Sequence, residues 1–490
     1  MNTSRNHVDL QAAATQSMKA RGFLPDFPPE VDRQVAQLTA HPPGVGTTDG
    51  SGGIRDLRQL LWSSIDNDTS RDLDQLEVVE GLTGGETKVL IAIADVDAFV
   101  PAHSPIDTHA AFETTTVYTG VTIFPMLPEA LSTGATSLLE AADKLALVIE
   151  FVVSADGLVH SGAVYRAVVR NKAQLTYDAV GGWLEHRGAA PAKVAASADL
   201  QQQLTLQDAC AQRLLSARSQ HGALNIETIE THPIWMNGAI VDLARQQKNR
   251  ATELIEDFMI AANGVVAVAL ENVSSIRRVV KTPKRWDRIV ELARQAGTAL
   301  PGEPDSKALN AFLLARKQAD PDHFVDLSLA IIKLMGPGEY VLERPGDPED
   351  GHFGLAVQNY THATAPNRRF ADLVTQRLVK ALLSKQPPPY SDQELATIAN
   401  DCTAKEDAAR KVERDMSKRI AAVAMSTRIG DVFDAIVTGV TPKGTFVRIM
   451  QPHVEGLLAH GQEGLDVGDK LRVKLIRTDP QRGYVDFART

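Results

Sequence analysis

Beyond residue 430 the hydrophobic period of the chain changes. The preceding stretch SDQELATIANDCTAKEDAARKVERDMSKRIAAVAM repeats its apolar residues at helical spacing. GDVFDAIVTGV, GTFVRIM, GLLAHG, DKLRVKLIRTD and RGYVDFAR are instead short strand-like runs punctuated by Gly, Pro and Asp. Five such runs in about sixty residues predict a small closed barrel of the OB type, an architecture common among single-strand nucleic-acid binders. Upstream the pattern is mixed. KVLIAIADV at 88–96 is a dense β-branched run, and LALVIEFVV and VHSGAVYRAVV read as two strands joined by the turn SADG. Helical periodicity returns in ATELIEDFMIAANGVVAVALEN and ADLVTQRLVKALLSK. The first fifty or so residues form a helical lead-in that ends in the joint PPGVGTTDGSGG at 42–53. The expected class is α+β, divided into a lead-in (1–54), a large α+β domain (55–428) and a small β-barrel (429–490). That division agrees with roughly one domain per 150 residues. No internal repeat is found.

Several classes are excluded. Two cysteines, Cys210 and Cys402, cannot build a disulfide framework or a four-cysteine zinc site, and they suit a reducing cytosol. The most apolar run, 259–270, is too short to span a bilayer and contains Asn263 and Gly264. The N-terminus lacks an export pattern. A soluble cytoplasmic chain without membrane association is expected. The net charge of −10 argues against a sequence-indifferent nucleic-acid coat protein. The acidity is local, however. Residues 56–100 hold ten acids against three bases, whereas from 401 onward fifteen Lys and Arg face thirteen Asp and Glu.

Two constellations carry chemistry. Asp66, Asp68, Asp72 and Asp74 fall within SSIDNDTSRDLDQLE. Such a cluster is either a solvated acidic turn or a hard-cation site, since Mg²⁺ takes carboxylate oxygens and leaves room for substrate phosphate. An EF-hand register places Asp66, Asp68, Ser70, Asp72, Asp74 and Glu77 at ligand positions, but its turn glycine is Arg71 and the next segment alternates like a hairpin. The second constellation is NRRFADLVTQR, in which Arg368 and Arg369 precede an amphipathic helix. Paired arginines are commonly surface charge, yet a guanidinium also suits a phosphoryl group on which charge develops. No P-loop, GxSxG elbow, dinucleotide fingerprint or HExxH occurs.

Several segments in order resemble the ribonuclease II (RNB) family of 3′→5′ exoribonucleases. The family's Asp-x₅-Asp-x-Asp-Asp loop matches Asp66, Asp72 and Asp74; IADVDAFVPAHSPID, PMLPEALS at 125–132, LIEDFMIAAN and GHFGLAVQNYTHATAPNRRFADLV follow. The final barrel is similar to the S1 RNA-binding domain of that family. The resemblance implies that Asp66, Asp72 and Asp74 hold Mg²⁺ (or Mn²⁺) and that Arg368 contacts the reacting phosphoryl group; Gln75, at the family's fourth position, and Asp68, an acidic neighbour outside the family's spacing, are further metal-ligand candidates. It also implies single-stranded RNA as partner. Tyr118, Tyr177, Asp257, Arg369, Glu413 and Phe446 become candidate RNA contacts. Tyr118 matches an aromatic that stacks on a terminal base; Tyr177 and Asp257 match residues associated with choosing RNA over DNA. Tyr118 reads equally as a core strand aromatic, and Glu413 as a surface helix residue.

Three departures stand out. Gln75 replaces the family's fourth aspartate, Ile226 stands where a second stacking aromatic is expected, and the lead-in is too short for the family's N-terminal cold-shock barrels. The primary expectation is a metal-dependent exoribonuclease releasing 5′-nucleoside monophosphates, with salt-sensitive RNA affinity. A binding protein of the same fold that guards RNA 3′ ends without cutting is the alternative, and a phosphodiesterase of small nucleotides is the third reading.

Overall fold

The computed structural model describes residues 9–44 and 53–490, positions 229, 247 and 349 excepted, so most of the expected joint at 42–53 lies outside the described residues. Helices α1 (Leu10–Ala20) and α2 (Pro29–Ala40) precede strands β1 (Ile54–Asp56), β2 (Ser63–Asp66), β3 (Gln75–Gly81) and β4 (Thr87–Ala94). Helix α3 (Pro105–Glu113) and the short strands β5 (Val117–Tyr118) and β6 (Ile123–Phe124) follow. Next come β7 (Asp143–Val153), β8 (Val159–Arg170), β9 (Ala173–Thr176), α4 (Tyr177–Leu184), α5 (Ala192–Ala195) and α6 (Ala198–His221). The hairpin of β10 (Glu230–Met236) and β11 (Ala239–Gln246) leads into α7 (Arg250–Ala269), β12 (Ser275–Val279), α8 (Trp286–Gln295), α9 (Ser306–Ala319), α10 (Pro321–Met335) and β13 (Glu339–Glu343). Helices α11 (Phe370–Leu383) and α12 (Asp392–Met425) precede β14 (Val432–Thr441), β15 (Gly444–Ile449), β16 (Val454–His460), β17 (Lys470–Asp479) and β18 (Tyr484–Arg489).

The first β-region forms one seven-stranded mixed sheet in the order β1-β8-β7-β4-β3-β2-β9. Its middle is an antiparallel meander, and β1 and β9 join the flanks in parallel. The run at 88–96 becomes central strand β4, buried along nearly its whole length. A strand covered on both faces has no polar face to alternate, which is why this one reads as an unbroken β-branched run. The SADG turn between β7 and β8 packs tightly against α6: a Cβ at Gly157 would sit 2.2 Å from the Arg213 carbonyl oxygen, and its φ is +87°. Only glycine meets both conditions.

Helix α12 is the longest helix among the described residues, with 34 residues and a Ser391–Glu394 capping box at its start. It touches α1, the β10–β11 hairpin, β13 and the barrel. The last five strands close in the order β14-β15-β16-β18-β17, with β16 and β18 the parallel pair. The barrel is not a loosely tethered bead. Its core residues Val437, Val447, Leu458 and Phe487 share one apolar cluster with Met416 and Ile420 of α12 and Met18 of α1. Arg448 of β15 also pairs with Asp326 of α10 at 2.6 Å. Both cysteines are buried and free. No described helix is long and apolar enough to cross a membrane.

At the parallel seam of the barrel, a Cβ on Gly456 would meet the Val485 carbonyl oxygen at 2.3 Å, whereas one on Gly439 would meet nothing within 4 Å. Gly456→Ala is therefore expected to destabilise the barrel by about 1–3 kcal/mol. Gly439→Ala should stay within about 0.5 kcal/mol of wild type. Urea denaturation of the two variants checks the contrast, and equal stabilities would refute it.

Candidate active site

The acidic loop links β2 to β3 and is pinned at its base. Leu73 is buried; its N–H donates to Ser137 Oγ at 3.0 Å, and that hydroxyl donates to the Arg71 carbonyl at 2.7 Å. Backbone groups rather than charges hold the loop's course, so its carboxylates can turn inward. A second loop, 361–369, arrives from the opposite end of the chain. Ala363 N–H donates to Asn263 Oδ1 on α7, and Ala365 N–H to Asp372 Oδ1 in the first turn of α11. The two loops meet at Asp74. Its Oδ1 accepts the Asn367 N–H at 3.0 Å, and its Oδ2 lies 3.5 Å from Arg368 Nε.

Asp66, Asp72, Asp74, Gln75, Tyr118, Tyr177 and Arg368 line one cavity of about 170 Å³. Asp74 is only 2% exposed, and burial pushes its carboxyl up to about 7 against the pull of Arg368 and the Asn367 N–H. Burial likewise raises Asp66 to about 6. Gln75 Nε2 donates to Asp66 Oδ1 at 3.2 Å, leaving Asp66 Oδ2 buried with no hydrogen-bond partner. Tyr118 donates from its hydroxyl to Asp72 Oδ2 at 3.3 Å. Glu77, two residues beyond Gln75 on β3, is fully buried with both carboxyl oxygens unpartnered. Desolvation, and then the charge of Asp66, hold it well above the usual carboxylate range.

The remaining candidates fall elsewhere. Asp68 is exposed on the loop and outside the cavity lining; Asn67 and Ser70 line it instead. Glu77 lies in strand β3, so the EF-hand's exiting helix is absent. Arg369, expected as an RNA contact, makes a two-pronged pair with Asp372 at 2.7 Å each, an arrangement that anchors the 361–369 loop to α11. Asp257 also departs from the cavity. It pairs with Arg218 in a second, larger space of about 670 Å³ that Ile226 lines too. Helix α7 stands between the two spaces, sending Ile255 and Met259 into the first and Asp257 into the second. Glu413 accepts the Tyr118 N–H at 3.2 Å and so positions that residue's backbone. Phe446 is half-buried in β15, paired in register with Leu457, and lines neither space. Sequence reasoning missed Asn367 and Asp372. Their signal was weak: an Asn before the two arginines, and an acid three residues after the second one at a helix start.

The donor set is chemically suited to a hard divalent cation. Its donors are oxygens, and one of them, Asp66 Oδ2, is buried without a partner. Among the described residues, however, no three His, Cys, Asp or Glu side chains already stand in a metal-holding arrangement.

The chain matches the RNB domain over residues 54–385 and the RNase II-type exonuclease C-terminal S1 domain over 431–490. It belongs to the RNB family. This RNB protein is 28% identical over 502 aligned positions to ribonuclease R 1 of Lactococcus lactis, covering 95% of this chain and 59% of that protein. The chain thus spans a little over half the length of that relative. Among solved structures it is similar to Mycoplasma genitalium RNase R in complex with ribose-methylated single-stranded RNA, with a TM-score of 0.87, 23% identity and coverage of 99% of this chain and 79% of that one. It is also similar to yeast Ssd1, a pseudonuclease, with a TM-score of 0.72, 17% identity and coverage of 92% and 55%. At these identities both likenesses establish the shared fold.

Carboxyls raised on folding bind protons more tightly in the folded state. The stability they contribute is full below the unfolded value of about 4 and is lost as pH rises through about 6 to 7. Without divalent cations, wild type should therefore lose more thermal stability between pH 4 and 8 than Asp74→Asn does. Excess Mg²⁺ should raise the wild-type Tm by a few degrees at pH 8 and by little at pH 5. Differential scanning calorimetry with and without EDTA reads both effects, and parallel pH profiles for the two proteins would contradict the assignment.

Proposed function

We propose that this protein is a metal-dependent 3′-to-5′ exoribonuclease that hydrolyses single-stranded RNA to 5′-nucleoside monophosphates in RNA decay or 3′-end trimming in the cytoplasm. The observation that carries the reading is the meeting of Asp66, Asp72 and Asp74 with Arg368 in one cavity, with Arg368 Nε 3.5 Å from Asp74 Oδ2. Membership of the RNB family supports it. Residues 55–428 form the catalytic domain, 429–490 the OB-type S1 barrel that gathers RNA, and 1–54 a lead-in.

Asp66, Asp72 and Asp74 would hold Mg²⁺ or Mn²⁺, with Gln75 as a weaker amide neighbour. Such an ion, when bound, supplies a more acidic water and stabilises charge on the departing oxygen. Arg368, about half exposed at the cavity wall, offers its guanidinium to the phosphoryl oxygens on which charge grows. Its contact with Asp74 keeps the fork aimed inward until substrate arrives. Tyr118 presents its ring at the rim for a terminal base while Glu413 holds its backbone. Tyr177 lines the same cavity and is placed to meet the ribose. Asp257 and Phe446 serve RNA farther from the reacting phosphate.

Gln75 favours a second reading, a catalytically impaired protein that binds RNA 3′ ends. An amide is a poorer Mg²⁺ ligand than a carboxylate. One assay separates the two. With 5′-labelled single-stranded RNA and Mg²⁺ or Mn²⁺, a ladder shortening from the 3′ end, absent in Asp74→Asn and absent for DNA, is the expected result. Tight binding without shortening in either metal supports the impaired reading and removes the first. Arg368→Ala should lower kcat by about 10²–10³-fold. Gln75→Asp should lower the Mg²⁺ concentration needed for half-maximal rate; an unchanged requirement would mean that another group already fills that role.

A further inference from the structure

The β10–β11 hairpin carries an apolar surface that the proposed mechanism leaves unused. Trp235 is 48% exposed and Met236 is 60% exposed beside the Asn237–Gly238 turn, and Ile234 and Val241 are exposed with them. Trp235 pairs across the hairpin with Ile240, which is buried with Leu243 against Val412, Met416 and Ile420 of α12, so the tryptophan stands at the edge of the packed face, next to the turn. The hairpin is thus held against α12, and the exposure belongs to its outer side and to the end beside the turn. Successive strand side chains alternate, so Ile234, Trp235 and Met236 expose apolar groups on both sides of the hairpin end, a surface suited to a partner.

The neighbours identify that partner. The β5–β6 hairpin packs on the same helix, with Val117 in the same apolar cluster. A Cβ at Gly120, between β5 and β6, would lie 2.9 Å from Ile420 of α12 and 3.9 Å from Pro233 of β10, so the two hairpins abut. That second hairpin holds Tyr118, 41% exposed at the rim of the acidic cavity, and Ile123, 56% exposed. Tyr118, Ile123 and Trp235 are thus exposed apolar and aromatic groups on two abutting hairpins, the first of them at the cavity. At the base of the hairpin stands exposed Arg245, whose charge reaches His453 of the barrel. Two exposed aromatic rings on abutting hairpins, both packed on the helix that also carries the barrel, suit unpaired nucleobases, which stack on aromatic faces whatever their sequence.

We propose that Trp235 and its hairpin neighbours form a stacking subsite for single-stranded RNA several nucleotides upstream of the 3′ end, between the cavity and the barrel. The inference rests on the exoribonuclease reading and adds a subsite to it. The subsite acts on substrate hold, not on chemistry.

The test uses full-length Asp74→Asn protein in EDTA, so that binding is read without cutting, with fluorescein-labelled A4 and A16 RNA as probes. Trp235→Ala should weaken A16 binding by about tenfold and leave A4 binding unchanged, because the short oligomer does not reach the hairpin. Trp235→Phe should restore A16 affinity, since the ring and not the indole N–H is required. In proteins otherwise wild type, Trp235→Ala should raise KM for A16 with kcat unchanged. If the wild type shortens RNA but Trp235→Ala binds A16 as the parent does, this proposal falls and the exoribonuclease reading stands. If the wild type shortens no RNA and the Asp74→Asn parent binds none, both fall. If Trp235→Ala changes the sedimentation of the protein but not its RNA affinity, the surface serves protein contact and the proposal is overturned.

Discussion

A carboxylate buried at the start of β3 is the constraint around which the rest is arranged. Asp74 has left water, and its burial is tolerated because a backbone N–H and a guanidinium reach it from positions 367 and 368. An ionised group taken into a protein interior without such partners costs several kcal/mol and protonates instead. Here the compensation is partial: Asp74 is still raised to about 7. Partial compensation fits a group whose final neutralisation is supplied by something that binds, and Asp66, with one oxygen unpartnered, repeats the pattern.

Holding together two loops nearly three hundred residues apart in the chain requires a stiff frame. The antiparallel ladder β3-β4-β7-β8 supplies it on one side. On the other, Arg369 and Asp372 lock the second loop to α11, while Gln376 and Arg377 of α11 bind the turn after β4 through the Ala94 carbonyl and Asp97. One helix therefore carries both the arginine loop and its connection to the sheet. Arg369 is part of this lock. Asp372, four residues beyond Arg368, is already taken by Arg369, and Arg368 lines the cavity beside Asp74.

Much of the architecture was legible from local pattern. The unbroken β-branched run at 88–96 became the central strand, the SADG turn joined two long strands, and the five Gly-punctuated runs closed into a ring. Those readings succeed because they depend on nearest neighbours and on period. The site was legible in part, through the carboxylates at 66, 72 and 74 and the arginine at 368. The sorting of Arg368 from Arg369, and of Tyr177 from Asp257, was not. Adjacent arginines have the same chemistry in a string of letters, and they differ only in which acid each one meets. Asp257 is separated from the acidic cavity by the thickness of α7, a distance that position along the chain does not express.

Charge shows the same division. The sequence by itself determined that the acids concentrate near residues 56–100 and that the C-terminal ninety residues are slightly basic. It also determined the α+β class and the strand-rich ending, because hydrophobic period and turn residues act locally. Only the tertiary structure decided which acids leave water, which arginine faces the cavity and which becomes a fastener, and that the barrel shares its core with α12 and α1. These outcomes arise from contacts between segments up to hundreds of residues apart. The free energy of a buried charge depends on what surrounds it, and folding alone supplies those surroundings.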